Sequence, residues 1–234
     1  MLGLNSSAST KQRRCAVVAK IITIAQQKGG AGKTTMAAHL AVAWSASGKR
    51  RVAIVDIDPQ GSLTQWYQVR QSRLGEENNL TFAAISGWRI RSELDRLRHT
   101  HDLIVVDSPP HTDAEARTAV RAADLVVIPL QPSPMDVWAT TATITMCKQE
   151  RVPVKMVLNR VHPQAKLTEA VSGEMIGLTA NRFGNRVIFA GALMHGLGVT
   201  EAQPNSIAAD EVRALSKEIM TYLNRKTAET PKTA

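Results

Sequence analysis

Between Ile21 and Thr35 the chain reads Ile-Ile-Thr-Ile-Ala-Gln-Gln-Lys-Gly-Gly-Ala-Gly-Lys-Thr-Thr. A β-branched run leads into a glycine loop, and the loop leads into a helical stretch. Few folds accept that order. Gly29, Gly30 and Gly32 let backbone amides turn inward around an anion with no Cβ in the way. A helix starting at Thr34 aims its positive end at the same anion. Gly29, Gly30, Ala31, Gly32, Lys33, Thr34 and Thr35 are therefore the expected nucleotide-phosphate site, with Lys33 reaching the β and γ phosphates and the Thr34 hydroxyl as a ligand of Mg²⁺. The pattern G-x-x-x-x-G-K-T fits except at its first position, where Gln27 stands. A second lysine, Lys28, occupies the loop entrance instead.

The rest of the chain agrees with a strand–loop–helix unit. Short apolar runs recur at Ile21–Ile24, Val52–Val55, Leu103–Val106, Leu125–Ile128 and Val154–Leu158, with a weaker one at Val187–Ile188. They do not alternate, as befits strands buried on both faces. Helical patterns lie between them at Thr34–Ser47, Leu63–Arg73, Ile90–Arg98, Ala114–Ala122 and Val137–Glu150. A last one, Ile207–Leu223, carries Ala208, Val212, Leu215, Ile219 and Leu223 on one stripe. The alternation predicts one α/β domain with a largely parallel sheet flanked by helices, over residues 19–226. Residues 1–18 read as a flexible basic leader and 227–234 as a flexible tail.

Carboxylates end two of these runs. Asp56 and Asp58 follow the second, in Val-Asp-Ile-Asp-Pro-Gln-Gly-Ser-Leu-Thr-Gln-Trp, and Asp107 follows the third, in Leu-Ile-Val-Val-Asp-Ser-Pro-Pro. Strand C-terminal ends are where open α/β sheets bind ligands. Asp56 suits either the nucleotide or a cap on the helix that follows. Asp58 suits a place near the γ-phosphate, and Asp107 a place on Mg²⁺. Asn159 ends another buried run, where an amide can pair with an adenine edge. Pro204 suits the adenine face or a plain turn.

These residues resemble the deviant Walker A ATPases, which include ParA, MinD and nitrogenase iron protein. Lys28 matches that family's signature lysine, which crosses an ATP-sandwiched homodimer. The string D-x-D-P-Q-x-S-L-T-x-W matches switch I, whose second Asp, here Asp58, positions or activates the attacking water. Asp107 matches the Walker B carboxylate and Asn159 the base contact. The segment Ala123–Asp136 (Ala-Asp-Leu-Val-Val-Ile-Pro-Leu-Gln-Pro-Ser-Pro-Met-Asp) is similar to the partition ATPases. The resemblance spans about residues 20–225 and is nearest to short, ParF-like ParA proteins. It implies a slow Mg²⁺-dependent ATPase, stimulated by a ParB- or ParG-like adaptor, that positions a plasmid or other cargo on the nucleoid in the cytoplasm.

Charge bears on the partner. The chain has 29 Lys and Arg against 20 Asp and Glu, and nine of the basic residues fall in the acid-free stretch 1–51. The rest of the chain is balanced. The resemblance implies non-specific duplex DNA binding, which needs only cations aimed at phosphates. The candidates are Arg182, Arg186, Arg213, Lys217, Arg225 and Lys226, with the basic leader as rival. Cys15 and Cys147 are too few for a disulfide framework or a zinc ribbon. Cys15 also precedes the glycine loop, which does not suit the cluster cysteines of nitrogenase iron protein. Residues 224–234 offer no apolar face of the kind that anchors MinD to membranes. A dethiobiotin-synthetase-type transferase and a nucleotide switch with negligible turnover are the alternative functions.

Overall fold

The computed structural model describes residues 18–46, 48–110, 114–162 and 177–229. Most of the expected leader, and the last five residues of the expected tail, lie outside them. The elements run β1 (Lys20–Ile24), α1 (Lys33–Ser45), β2 (Val52–Asp56), α2 (Ser62–Leu74), a 3-10 turn (Gly75–Glu77), β3 (Leu80–Ala84), α3 (Arg89–Arg98), β4 (Leu103–Asp107), α4 (Ala114–Ala122), β5 (Leu125–Leu130), α5 (Pro134–Gln149), β6 (Val154–Leu158), α6 (Val187–Met194), α7 (Val199–Ala202) and α8 (Ile207–Glu229).

The six strands form one parallel sheet in the order β3-β2-β4-β1-β5-β6. Every residue of β2, β4 and β5 is buried. Successive side chains point to opposite faces, so the interior strands feed two cores. Ile22, Ile24, Val52, Ile54, Val105 and Val127 pack on one face beneath α1, α6 and α8. Ile21, Val55, Ile104 and Val106 meet Ile90, Leu94 and Leu97 of α3 on the other, and Val126, Ile128 and Leu158 meet Met146 and Cys147 of α5. The α8 stripe expected from sequence is buried as one row. Its four large members, Val212, Leu215, Ile219 and Leu223, contribute about 6–12 kcal/mol by removal from water.

Two elements differ from the sequence reading. Val187–Ile188 is not a strand but the first turn of α6, and Val187 is 90% exposed. Two β-branched residues are too few to outweigh the helix-forming Phe-Ala-Gly-Ala-Leu-Met that follows. β3 was not foreseen. It is an edge strand with only Leu80 fully buried, so it lacks the continuous apolar signal of the interior strands. Tyr67 of α2 holds it down, stacking on Phe82 and donating its hydroxyl to the Leu80 carbonyl at 3.0 Å. Two helix ends also move. α8 continues to Glu229, three residues into the expected tail. α5 begins at Pro134, with Ser133 as N-cap accepting from the Asp136 amide.

β2 and β3 lie to one side of β1 and β5 and β6 to the other. The loop after β1 therefore opens where the chain changes direction across the sheet, the usual ligand crevice of such folds. In the sheet register Asp107 stands level with Ile24 on one side and Asp56 on the other.

Candidate active site

The glycine loop joins β1 to α1. Gly30 and Gly32 both have positive φ, 74° and 93°, where a side chain is strained. Gly32 is doubly constrained, because a Cβ there would lie 2.3 Å from the Asn159 amide nitrogen. Asn159 is 5% exposed. Its Nδ2 donates to the Ala31 carbonyl at 2.8 Å, and its Oδ1 accepts from the Arg160 amide. In this structure the expected base contact is bonded to the phosphate loop itself.

Lys33, the first residue of α1, is buried. Burial lowers its ammonium pKa, while the Asp107 and Asp58 carboxylates pull it back up. The Thr34 hydroxyl donates to Asp107 Oδ2 at 2.6 Å. Asp107 is fully buried, and its pKa is pushed up to about 7, first by burial and then by Asp56 and Asp58. Its second oxygen, Oδ1, is buried with no hydrogen-bond partner among the described residues. An orphaned carboxylate oxygen beside a threonine hydroxyl is a hard oxygen donor set that suits Mg²⁺. No group of three or more His, Cys, Asp or Glu gathers as a metal cage among the described residues. Mg²⁺ takes one or two protein ligands together with phosphates and water.

The paired aspartates of β2 diverge. Asp56 turns inward, with Oδ1 accepting from the Asp58 amide and Oδ2 from both the amide and the hydroxyl of Thr64. It caps α2, one of the two readings open from sequence. Asp58 stays on the loop, partly exposed, and accepts from the Gln60 amide at 2.9 Å. It is close enough to Lys33 and Asp107 to act on both electrostatically.

Lys28 is held from across the crevice. Its ammonium lies 2.6 Å from Asp136 Oδ2, and the same oxygen accepts from the Ser133 hydroxyl. Asp136 is 2% exposed. Burial works against its charge, but Lys28 and Ser133 hold its pKa below the usual carboxylate range. From sequence Asp136 is only the last residue of the Pro-rich segment. Its signal was the Ser-Pro-x-Asp pattern of a helix start, which specifies a cap but not a lysine partner.

A pocket of about 280 Å³ opens beside Thr35, Asn159, Arg160, Asn185 and Phe189. Pro204 is exposed in the turn Gln203–Ser206 and does not line it. The helices that carry the site are tied to the chain's last third. His39 of α1 accepts from the Val199 amide on Nδ1, which leaves Nε2 to donate to the Phe189 carbonyl. The fully buried Arg70 of α2 donates to Gly196 O and to both carboxylate oxygens of Glu201.

The six basic residues expected at DNA lie on α8 and in the segment before α6. Arg186 is held by Glu211 and Arg213 by Asp210. Arg182, Lys217, Arg225 and Lys226 are exposed, the last three along α8.

Residues 22–191 match the family described as CobQ/CobB/MinD/ParA nucleotide binding domain. The chain is 29% identical over 211 residues to the maintenance of carboxysome distribution protein A of Halothiobacillus neapolitanus, covering 85% of this chain and 95% of that protein. To the protein of that name from Gloeobacter kilaueensis it is 36% identical over 159 residues, 66% of this chain and 69% of the other. In fold it is similar to the septum site-determining protein MinD of Pyrococcus horikoshii complexed with Mg-ADP, with TM-score 0.72 and 19% identity, covering 86% of this chain and 96% of that one. It is likewise similar to a plasmid partition protein of Borrelia burgdorferi bound to AMPPNP, with TM-score 0.68 and 19% identity, covering 88% and 99%.

Proposed function

Because the chain belongs to the ParA/MinD family of nucleotide-binding ATPases, we propose that it is a Mg²⁺-dependent positioning ATPase. It dimerises on ATP, binds duplex DNA without sequence preference and releases when an adaptor protein stimulates hydrolysis. The observation that carries this reading is the convergence on one crevice of Lys33, the Thr34–Asp107 pair, Asp58 and a second loop lysine, Lys28. The cargo is of the kind named for its relatives, a carboxysome or a plasmid. The site of action is the nucleoid, in the cytoplasm.

Each residue has a task on this reading. The loop amides and Lys33 bind the β and γ phosphates. Thr34 and Asp107 would hold Mg²⁺, which when bound would neutralise phosphate charge. Asp58 accepts a proton from the water that attacks the γ-phosphorus. The bond from that phosphorus to the β,γ-bridging oxygen breaks, giving ADP and phosphate. Lys28 leaves Asp136 to meet the phosphates of the second copy, where a fixed cation stabilises the transferring group. Met135 and Trp138, in the first turn of α5 beside Asp136, are 64% and 68% exposed. Apolar side chains at that rim suit a face that a second copy covers. When nucleotide binds, Asn159 exchanges the Ala31 carbonyl for the adenine edge.

Turnover, calorimetry and sizing by light scattering test the assignment together. Lys33→Ala is expected to lose nucleotide binding. Lys28→Ala is expected to bind nucleotide but neither dimerise productively nor hydrolyse it. Asp58→Ala is expected to give a persistent ATP dimer without turnover. Wild-type stimulated turnover in Lys28→Ala would end the sandwich-dimer reading. Loss of Mg·ATP binding in Asp58→Ala would move Asp58 onto the metal.

A further inference from the structure

The first half of α5 turns polar side chains inward. Thr140 and Thr143 are 2% and 1% exposed, and they share a face with Asp136 at positions i, i+4 and i+7. A helix packed on a sheet ordinarily buries an apolar stripe, as α5 does one turn further on with Met146 and Cys147. The polar row lies against the exit of β1. Ala25 is still bonded into the sheet, its amide donating to the Val127 carbonyl at 3.0 Å. Gln26 is 1% exposed, and the chain emerges just after it, with Gln27 and Lys28 partly exposed.

Two residues of this exit meet α5. The Thr143 hydroxyl approaches Gln26 Oε1 at 3.4 Å, and the Lys28 ammonium reaches Asp136 at 2.6 Å. Their partners on α5 are seven residues apart, about 10 Å along the axis, so the exit is laid along the helix for two turns. Gln26 Oε1 also accepts from the Gln27 amide at 2.9 Å, which fixes the peptide leading to Lys28. A backbone N–H only donates, so this bond sets which way the Gln26 carboxamide faces. Its Nε2 is left buried, with no partner among the described residues. A buried donor without an acceptor costs stability. Methionine, unbranched and of similar length, would fill the space without that cost. What methionine lacks is a strong acceptor for the Gln27 N–H.

We infer that Gln26 is a positioning residue for Lys28: its carboxamide pins the loop entrance against α5, so that Lys28 leaves Asp136 for the second copy from a fixed base. The inference rests on the crossing of Lys28 in the function proposed above. Gln26 touches no phosphate on this reading and acts through the peptide that joins Gln27 to Lys28. A cation whose starting point is already fixed loses less freedom when the second copy arrives, and that saving strengthens the dimer.

The test is Gln26→Met in the full chain with Mg·ATP. Calorimetry should give an ATP affinity within about twofold of the parent, a negligible difference in binding free energy. The thermal melt should not fall, because the orphaned donor goes with the carboxamide. Light scattering over a range of protein concentrations should show the ATP dimer weakened by about tenfold, the worth of one or two net hydrogen bonds. Turnover should fall in kcat with KM unchanged. Thr143→Val should weaken the dimer in the same direction, and Thr143→Ser should keep it. Gln26→Met combined with Thr143→Val should be no weaker than Gln26→Met alone, because both act through one oxygen. A Gln26→Met variant that dimerises and turns over like the parent overturns the inference. One that melts lower and binds ATP less tightly makes Gln26 a structural residue and overturns it as well. In either case the crossing of Lys28 stands if Lys28→Ala still fails to dimerise. Parent-like dimerisation and turnover in Lys28→Ala overturn both.

Discussion

Lys28 and Asp136 are unequal partners. The lysine side chain is 39% exposed and the carboxylate 2%. Removing the acid returns an ammonium to water, whereas removing the base strands a charge in the interior. Lys28→Ala is therefore expected to destabilise the free chain by about 1–3 kcal/mol, the cost of a buried group left short of a partner. Asp136→Asn should cost less, and the double variant no more than Lys28→Ala. Denaturant titration of the three variants without nucleotide checks the order, and a costlier Asp136→Asn would refute it. The pair also marks where sequence reading stopped. Lys28, Lys33, Thr34, Asp58 and Asp107 were legible because each sits at a fixed offset from a strand end or a glycine. The grip of Asp136 on Lys28 spans 108 positions and that of Glu201 on Arg70 spans 131. No local spacing encodes either contact, because only the packing of finished helices brings the groups together.

The parallel strands announced themselves because burial on both faces demands unbroken apolar runs. β3, with one face open, and α6, opening on an exposed valine, lacked that signature. α6 also carries two glycines of opposite consequence. Gly196, just past its end at φ +69°, packs on α2 so tightly that a Cβ would sit 2.4 Å from the Arg70 nitrogen. Backbone cannot yield as a side-chain tip does, and the left-handed conformation adds its own strain. Gly196→Ala is expected to cost about 2–4 kcal/mol. Gly191, inside the helix, has open space where its Cβ would be. Gly191→Ala should stabilise by about 0.5–1 kcal/mol, the ordinary gain of alanine over glycine in a helix. Thermal melts of the two variants should therefore shift in opposite directions, and a shared direction would refute the packing argument.

Across the whole molecule, His39 ties α1 to the last third of the chain, and it does so uncharged. Burial lowers its pKa from 6.5 to about 4. The unfolded chain takes up a proton there that the fold refuses, so this contribution is complete above pH 6.5 and fades as pH falls towards 4. The loss is at most about 3 kcal/mol. Asp107 acts in the opposite sense, since its raised pKa makes the fold the better proton acceptor below pH 7. The His39 contribution is therefore read as the difference between the parent and His39→Gln, whose amide can both donate and accept. That difference should shrink on acidification from pH 7 to pH 4.5, and a constant gap would refute the assignment. The position of α8 has a consequence in time. The face of the sheet that carries α1 is closed by Val212, Leu215, Ile219 and Leu223, which follow every other described element in the chain. A ribosome issues these residues after the rest, at about 5–20 residues per second. Until then the emerging polypeptide lacks the cover that α8 gives α1, where Trp44 donates its indole N–H to the Ser216 carbonyl. Nascent chains stalled before Ile207 should be cut readily by protease and held by chaperones, and those extended well beyond Leu223 should resist, so that this face of the sheet closes only when α8 is free.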